Sequence, residues 1–171
     1  MAILVSRTGR TLQRYHKGHR LVVGCIPYRL SRNGGLEVLM ISSQKGQAMM
    51  FPKGGWELDE SIEEAASRES VEEAGVVGVV ERELGKWRFM SKSRPSYREG
   101  YMFPLLVTEQ LDLWPEKNLR RRVWMCAADA RKVCQQIWMK EALDMLVERL
   151  KLQSNLTSGE EGGQEVFPKA L

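Results

Sequence analysis

The stretch Pro52–Val76, PKGGWELDESIEEAASRESVEEAGV, places eight acidic residues within 25 positions, starting just behind the glycine pair Gly54-Gly55. The chain as a whole has a formal net charge of +4, so so local an excess of carboxylates needs a physical cause. Ser61 is a good N-cap and Glu64 lies three residues on, the spacing of a capping box. Gly75 is the residue type expected just past a helix end. The pattern predicts a helix over about 62–74, with Ile62, Ala66, Ser70 and Ala74 on one ridge toward the core. Glu69, Glu72 and Glu73 stand at i, i+3 and i+4, which brings the three carboxylates to one face.

Like charges at these spacings destabilise an exposed helix by roughly 0.2–0.5 kcal/mol per pair. Two readings are open for the three glutamates alone: a solvated acidic face, or an oxygen cluster for a divalent cation. Mg²⁺ and Mn²⁺ favour oxygen ligands, a few carboxylates together with substrate phosphate oxygens. Arg68 can reach Glu64 or Glu72 along the helix and hold a carboxylate in place. Gly54 and Gly55 let the backbone turn sharply and approach a ligand, and their carbonyls can add a further metal oxygen.

Outward from this segment, RLVVGCIPYRL (20–30) reads as a strand, with Pro27 placing its second half at an edge or bulge. Asn33-Gly34 suits a tight hairpin, and LEVLMISSQ (36–44) is the return strand. After the helix come two strand-like runs, VVGVVERELGKWRFM and YMFPLLVTEQL, joined by the polar loop SKSRPSYREG. A short strand follows at 122–126, then a helical pattern from about Ala128 to Leu152 in one or two helices. Strands and helices in this order predict an α/β protein with a mixed sheet between helices. The expected organisation is a basic N-terminal segment (1–17), one domain (18–153) and a flexible C-terminal tail (154–171).

Charge is unevenly placed. No acid precedes Glu37, whereas Arg7, Arg10, Arg14, Lys17, Arg20, Arg29 and Arg32 do. Lys86, Arg88, Lys92, Arg94 and Arg98 form a second basic group, and Arg120, Arg121 and Arg122 a third. Solvated surface explains most charge runs. Three basic groups around one acidic segment fit a ligand carrying many negative charges better. Cys25, Cys126 and Cys134 are odd in number with no CxxC, and read as reduced thiols of an intracellular protein. Cys25 is expected to be a buried strand residue. Trp87, Trp114, Trp124 and Trp138 are expected in packing rather than in a base-stacking platform. No apolar run reaches the length of a membrane span. The Arg-rich, acid-free start can also be a mitochondrial transit segment, so the compartment is cytoplasm or nucleus, with the mitochondrion as the alternative.

The full spacing narrows the two readings of the glutamates. Gly54, five residues, Glu60, seven residues, Arg68-Glu69, two residues, Glu72-Glu73, one residue and Gly75-Val76 together resemble the Nudix box, GX5EX7REUXEEXGU, where U is a bulky aliphatic residue. Ser70 departs from it at the first U. The resemblance spans roughly residues 18–150. It implies an α/β/α sandwich around a mixed sheet and hydrolysis of a diphosphate linked to a further group, with Mg²⁺ or Mn²⁺ as cofactor. It implies that Glu69, Glu72 and Glu73 hold the metal with help from Gly54, and that Glu69 also helps activate water. Arg68 would orient a glutamate and Glu60 would support the loop–helix junction. No motif like the SQPWPFP signature of NADH pyrophosphatases is present.

RLVVGCIPYRL, VLMISSQK, FPKGGWE, LLVTEQLDLWPE and RRRVW resemble the diphosphoinositol polyphosphate and diadenosine polyphosphate phosphohydrolases. SRTGR with QRY and FPKGGWE resembles the plant branch; animal members carry a third glycine at the position of Lys53. This implies a diphosphoinositol polyphosphate as substrate, with a diadenosine polyphosphate as the alternative. A non-catalytic nucleotide- or RNA-binding module is the remaining possibility, and such relatives usually lack box glutamates that this chain retains. By position, Arg10, Arg20, Ser43, Lys45, Lys53, Gly54 and Gly55 would contact phosphate, with Arg98 and Arg121 adding to them. For Arg10 the competing reading is a frayed basic terminus. The expected partner is one highly phosphorylated small molecule, with no membrane, no specific nucleic acid, and a monomeric chain.

Overall fold

In a computed structural model of the chain, residues 5–91 and 95–170 are described, residues 156–170 in backbone only. Strand β1 (Tyr15–His16) turns at Lys17-Gly18 into β2 (His19–Leu30). Both turn residues have positive φ, 51° and 80°, as a tight hairpin requires. The loop at Asn33-Gly34 leads to β3 (Leu36–Ser42), and β4 (Met49–Met50) and β5 (Lys53–Gly55) follow. Helix α1 (Ile62–Glu69) passes directly into a π-helical turn, Ser70–Ala74. Then come β6 (Val76–Val80), β7 (Gly85–Met90), β8 (Tyr97–Gln110), β9 (Arg122–Cys126), α2 (Ala127–Val133) and α3 (Ile137–Ala170). The expected polar loop ahead of β8 is shortened, because strand pairing begins at Tyr97. Lys92 and Arg94 lie outside the described residues. The backbone of α3 stays helical past residue 153, where the sequence reading drew the start of a tail.

The sheet is mixed. β2 runs parallel to β8 from Arg20 against Arg98 to Tyr28 against Leu106. On its other edge β2 pairs antiparallel with β5 at Val22–Gly24 and with β3 at Tyr28–Leu30. β3 takes β9 on its far edge, and β8 takes β7 and then β6. Pro27 is therefore in a central strand, not at an edge. The sheet tolerates it because Pro27 falls in the gap between β5 and β3, just past the Cys25 N–H that bonds the Pro52 carbonyl. No ladder donor is needed there.

Alternation along the strands sends side chains to two cores. Val23, Cys25, Leu39, Ile41, Phe103 and Leu105 pack with Ala65 and Ala66 of α1 and with Ala74. Ile26, Tyr28, Val38, Met40 and Met102 pack on the opposite face with Trp138, Met139, Leu143 and Leu146 of α3. Helices thus cover both faces, and the α/β/α sandwich is as expected. Trp138 is 6% exposed and stacks on Phe89 with ring centroids 4.4 Å apart. Trp114 and Trp124 lie under the guanidinium groups of Arg122 and Arg29.

The α1 segment is built as its sequence specifies. Ser61 Oγ accepts from the Glu64 N–H at 3.1 Å, and Glu64 Oε1 accepts from the Ser61 N–H at 3.0 Å. Ser70, fully buried, donates its hydroxyl to the Ala66 carbonyl at 2.9 Å. A small polar residue is thus accommodated where an aliphatic is expected, because helix backbone satisfies its hydroxyl. Cys25 Sγ shares that carbonyl at 3.4 Å, and burial pushes its thiol up to about 12, so Cys25 is an inert core residue. Gly75 closes the π turn at φ 65°, its N–H directed at the carbonyls of Ser70 and Val71.

Gly75 needs its left-handed conformation, and a Cβ there would sit 2.5 Å from the Trp114 ring. Gly75→Ala should therefore cost about 2 kcal/mol from backbone conformation and crowding. Thermal unfolding should show a fall in Tm of roughly 4–8 °C.

Candidate active site

Arg68 organises the acidic cluster. Its Nη2 and Nε donate to Glu60 Oε1 and Oε2 at 2.7 and 2.9 Å. Its Nη1 donates to Glu69 Oε1 at 2.9 Å and to Glu72 Oε2 at 3.0 Å, and Nη2 also reaches the Gly55 carbonyl at 2.9 Å. Burial works against its charge, yet the carboxylates of Glu60, Glu69 and Glu72 more than offset this and hold its pKa above the ordinary value. Glu60 also accepts the Glu57 N–H at 3.0 Å, so it ties the loop before α1 to the helix. Of the Glu64 and Glu72 that spacing allowed, Arg68 thus takes Glu72, and it adds Glu60 and Glu69.

The π turn carries Glu72 and Glu73 beside Glu69. Glu73 Oε1 accepts the Lys53 N–H at 3.0 Å, and its Oε2 accepts from Arg120 Nη2 at 3.2 Å. β5 lies against the same carboxylates, and a Cβ at Gly54 would collide with the carboxyl group of Glu69. Only glycine lets the strand approach this closely. The chain from Val5 onward closes the far side. The Arg7 N–H donates to Glu72 Oε1 at 2.9 Å, and its guanidinium pairs with Glu57 and Asp59. Ser6 Oγ donates to Glu116 Oε2 at 3.0 Å.

Two functional candidates were missed in the sequence. Glu116, in the loop before β9, is buried and accepts from Gln44 Nε2 at 2.9 Å and Arg120 Nε at 3.0 Å. Arg120 in turn bridges Glu116 and Glu73. Their i,i+4 spacing was the available signal.

The cluster is short of positive charge. Glu60, Glu69, Glu72, Glu73 and Glu116 are buried, against the buried guanidinium groups of Arg68 and Arg120. Burial, with repulsion from Glu73 and Glu72, raises Glu69 well above the usual carboxylate range. Burial also raises Glu72, and Glu73 is raised to about 7 by burial with a contribution from Glu116. Among the described residues no three Asp, Glu, His or Cys side chains stand in a closed metal cage. The donor set nonetheless fits a Mg²⁺-type ion, which takes one or two carboxylates and completes its shell with water and phosphate oxygens. Glu69, Glu72 and Glu73 are the groups that could hold it; the Gly54 carbonyl, expected to join them, is turned to Val23 in the β5–β2 ladder, in phase with Cys25 N–H to Pro52 O and Trp56 N–H to Leu21 O.

A cavity of about 530 Å³ opens on these carboxylates, with Arg20, Lys53, Gly54 and Gly55 also in its wall. Burial, together with the nearby charges of Arg10 and Arg98, lowers Arg20 to about 10. Lys53 is lowered by burial and by Arg98 and Arg20, against the pull of Glu73. Lys53 also lines a second cavity of about 600 Å³ that contains Arg98. Besides Arg98, the proposed phosphate contacts Arg10, Ser43, Lys45 and Arg121 are not in the first cavity's wall. Arg10 is exposed, although its carbonyl is fixed by the Gln13 N–H at 3.2 Å. Lys45 is exposed in the loop after β3 and Ser43 bonds the Ala48 carbonyl, whereas Gln44 between them faces Glu116. Arg121 is exposed because its neighbour Arg120 turns inward, and residues along an extended chain alternate sides.

A helix-borne carboxylate cluster thus faces a cation-lined cavity at the edge of an α/β/α sandwich. The chain belongs to the Nudix family: the NUDIX domain matches residues 18–146, and enzymes of this family generally use divalent metals such as Mg²⁺. It is 67% identical over 160 residues to Nudix hydrolase 18, mitochondrial, of Arabidopsis thaliana, covering 90% of this chain and 91% of that relative. It is 34% identical over 146 residues to diphosphoinositol polyphosphate phosphohydrolase 3-alpha of Mus musculus, covering 84% and 85%. A C. elegans Ap4A hydrolase, solved as a binary complex, superposes with a TM-score of 0.62 at 21% identity, over 77% of this chain and 97% of that one. At that identity the likeness concerns the fold. Among the described residues no helix is long and apolar enough to cross a membrane.

Because Glu73 keeps its proton up to about pH 7 when folded but releases it in the ordinary carboxylate range when unfolded, the folded state binds the extra proton between those limits. Its contribution is present at low pH and is lost as pH rises through 7. In EDTA, thermal unfolding of the wild type should therefore weaken more between pH 5 and pH 8 than that of Glu73→Gln. Equal slopes would contradict the assigned burial of this charge.

Proposed function

We propose that this Nudix hydrolase is a Mg²⁺- or Mn²⁺-dependent pyrophosphohydrolase of diphosphoinositol polyphosphates, yielding inositol polyphosphate and phosphate. The observation that carries the reading is the group Arg20, Lys53 and Arg98. Burial, with the added repulsion of Arg10 and Arg98 at Arg20 and of Arg98 and Arg20 at Lys53, disfavours the charge of these two groups, and a densely phosphorylated ligand would offset both effects. The mouse diphosphoinositol polyphosphate phosphohydrolase, as its name states, acts on this substrate class.

In the proposed mechanism Glu69, Glu72 and Glu73 would hold the metal. A bound divalent ion would neutralise diphosphate oxygens and lower the pKa of a coordinated water. Arg68 keeps Glu69 and Glu72 oriented, Glu60 keeps Arg68 in place, and Glu69 takes up the proton of the attacking water. Arg20, Lys53 and the Gly55 N–H hold the phosphates, with Gly54 leaving room for the approach and Arg98 reaching them from the second cavity. Arg10, Ser43, Lys45 and Arg121 have weaker claims, because none of them is in the cavity wall. The chain acts as a monomer and without a nucleic-acid partner. For its compartment, the name of the Arabidopsis relative favours the mitochondrion over cytoplasm or nucleus.

One observation favours diadenosine polyphosphates as a second substrate class. The second cavity is lined by Trp87, Phe89, Trp138, Met50 and Met90. It meets the first at Lys53 and could receive a planar base while the phosphate chain crosses that lysine.

Rates on both substrate classes test the assignment. Arg20→Ala and Arg98→Ala should raise KM for an inositol pyrophosphate by about 10-fold or more. Phe89→Leu should leave that KM unchanged and raise KM for diadenosine polyphosphates alone. If the Arg variants weaken ADP-ribose as much as the inositol pyrophosphate, the substrate assignment is wrong.

A further inference from the structure

Gln13 lies ahead of the first strand, in the QRY stretch, and carries no charge, so its residue type does not announce a role in binding phosphate. In the structure it is buried at the wall of the carboxylate cavity. Its Nε2 donates to the carbonyls of Arg14 at 2.8 Å, Leu21 at 2.9 Å and Trp56 at 3.3 Å. Three acceptors around one nitrogen leave no choice of amide orientation, since a flipped amide would set its oxygen against three carbonyl oxygens. The amide oxygen is thereby aimed at Arg20, whose Nε donates to it at 2.8 Å.

The surroundings hold this arrangement in place. The segment carrying Gln13 is pinned by the bridge between Gln13 and Glu57, by Leu58 N–H to Leu12 O at 2.7 Å and by Arg14 N–H to Trp56 O at 2.9 Å. Gly55 leaves the necessary space, because a Cβ there would overlap Gln13 Oε1 and stand 2.9 Å from Arg20 Nη2. A long arginine free to sample its rotamers pays entropy on binding each phosphate. One whose Nε is already held by a buried, correctly oriented amide keeps both terminal nitrogens directed to the cavity.

We propose that Gln13 is a positioning residue for substrate binding: it fixes Arg20 in the cavity so that its Nη groups meet the polyphosphate. This rests on the reading above, in which Arg20 contacts phosphate. Gln13 itself touches no reacting atom. The N-terminal segment of this chain therefore sets specificity for highly phosphorylated substrates and does not merely add charge.

The test is a double-mutant cycle on steady-state hydrolysis of an inositol pyrophosphate with Mg²⁺, with Tm measured on every variant. Gln13→Met, similar in length but unable to hydrogen-bond, should raise KM by about 10-fold with kcat within about twofold, and should flatten the salt dependence of KM. In the Arg20→Ala background the same change should raise KM no further. Should Gln13→Met fail to fold, Gln13→Asn reads the same quantity, since its amide is one methylene short of Arg20. If Arg20→Ala leaves KM unchanged, the phosphate role of Arg20 falls and the inference falls with it. If Arg20→Ala raises KM but the Gln13 variants do not, or if their effect persists in full without Arg20, the inference alone is overturned.

Discussion

The guanidinium of Arg68 is the contact on which the acidic end of the molecule depends. Its hydrogen bonds to Glu60, Glu69, Glu72 and the Gly55 carbonyl join the loop, the helix and β5 at one point. Each carboxylate it holds is buried. Removing one partner from a buried charge pair costs about 3–5 kcal/mol, because the other charge is left without compensation. Arginine is suited to this position because its planar fork can serve several oxygens at once, which an ammonium cannot. The capping box, the π turn and the glycine at Gly75 set the helix so that this side chain and its three glutamates converge.

Arg68 does not neutralise the cluster, and that imbalance gives the site its chemistry. Buried carboxylates outnumber buried guanidinium groups; burial first, and repulsion among the carboxylates after it, raises Glu69, Glu72 and Glu73. On the opposite wall the imbalance is reversed, with Arg20, Lys53 and Arg98 repelling one another. Lys53 stands at the junction, its backbone N–H bound to Glu73 and its ammonium among the cations. A divalent cation and a polyphosphate satisfy the two halves together. Neither half would be well served by water alone, given the cost of burying unpaired charge.

Much of the fold was legible because it is written in local chemistry. Ser61, Glu64 and Gly75 mark the ends of the acidic helix, and the apolar runs at 20–30 and 36–44 mark two strands. The spacing of the box identifies Arg68 and its glutamates without any knowledge of the sheet. What could not be read depends on sidedness and register. Arg120 faces Glu73 while Arg121 faces solvent, and only the pairing of the chain with β3 decides which. Gln44 enters where Ser43 and Lys45 were expected, for the same reason. Pro27 reads as an edge residue until the gap between β5 and β3 is known. Glu116 shows locally only its i,i+4 spacing to Arg120, since its other partner Gln44 lies 72 residues back, and Gln13 meets Arg20 only once the Lys17-Gly18 turn folds the two strands together.

The central claim is that the Glu69–Glu73 cluster is a cation site left deliberately short of positive charge by the protein alone. Titrating Mn²⁺ into metal-free protein, followed by the EPR signal of the free ion, tests this most directly. The account predicts saturable binding near neutral pH in the wild type, weakened by at least about 10-fold in Glu69→Gln, with the fold retained. Unchanged Mn²⁺ affinity in Glu69→Gln would contradict it.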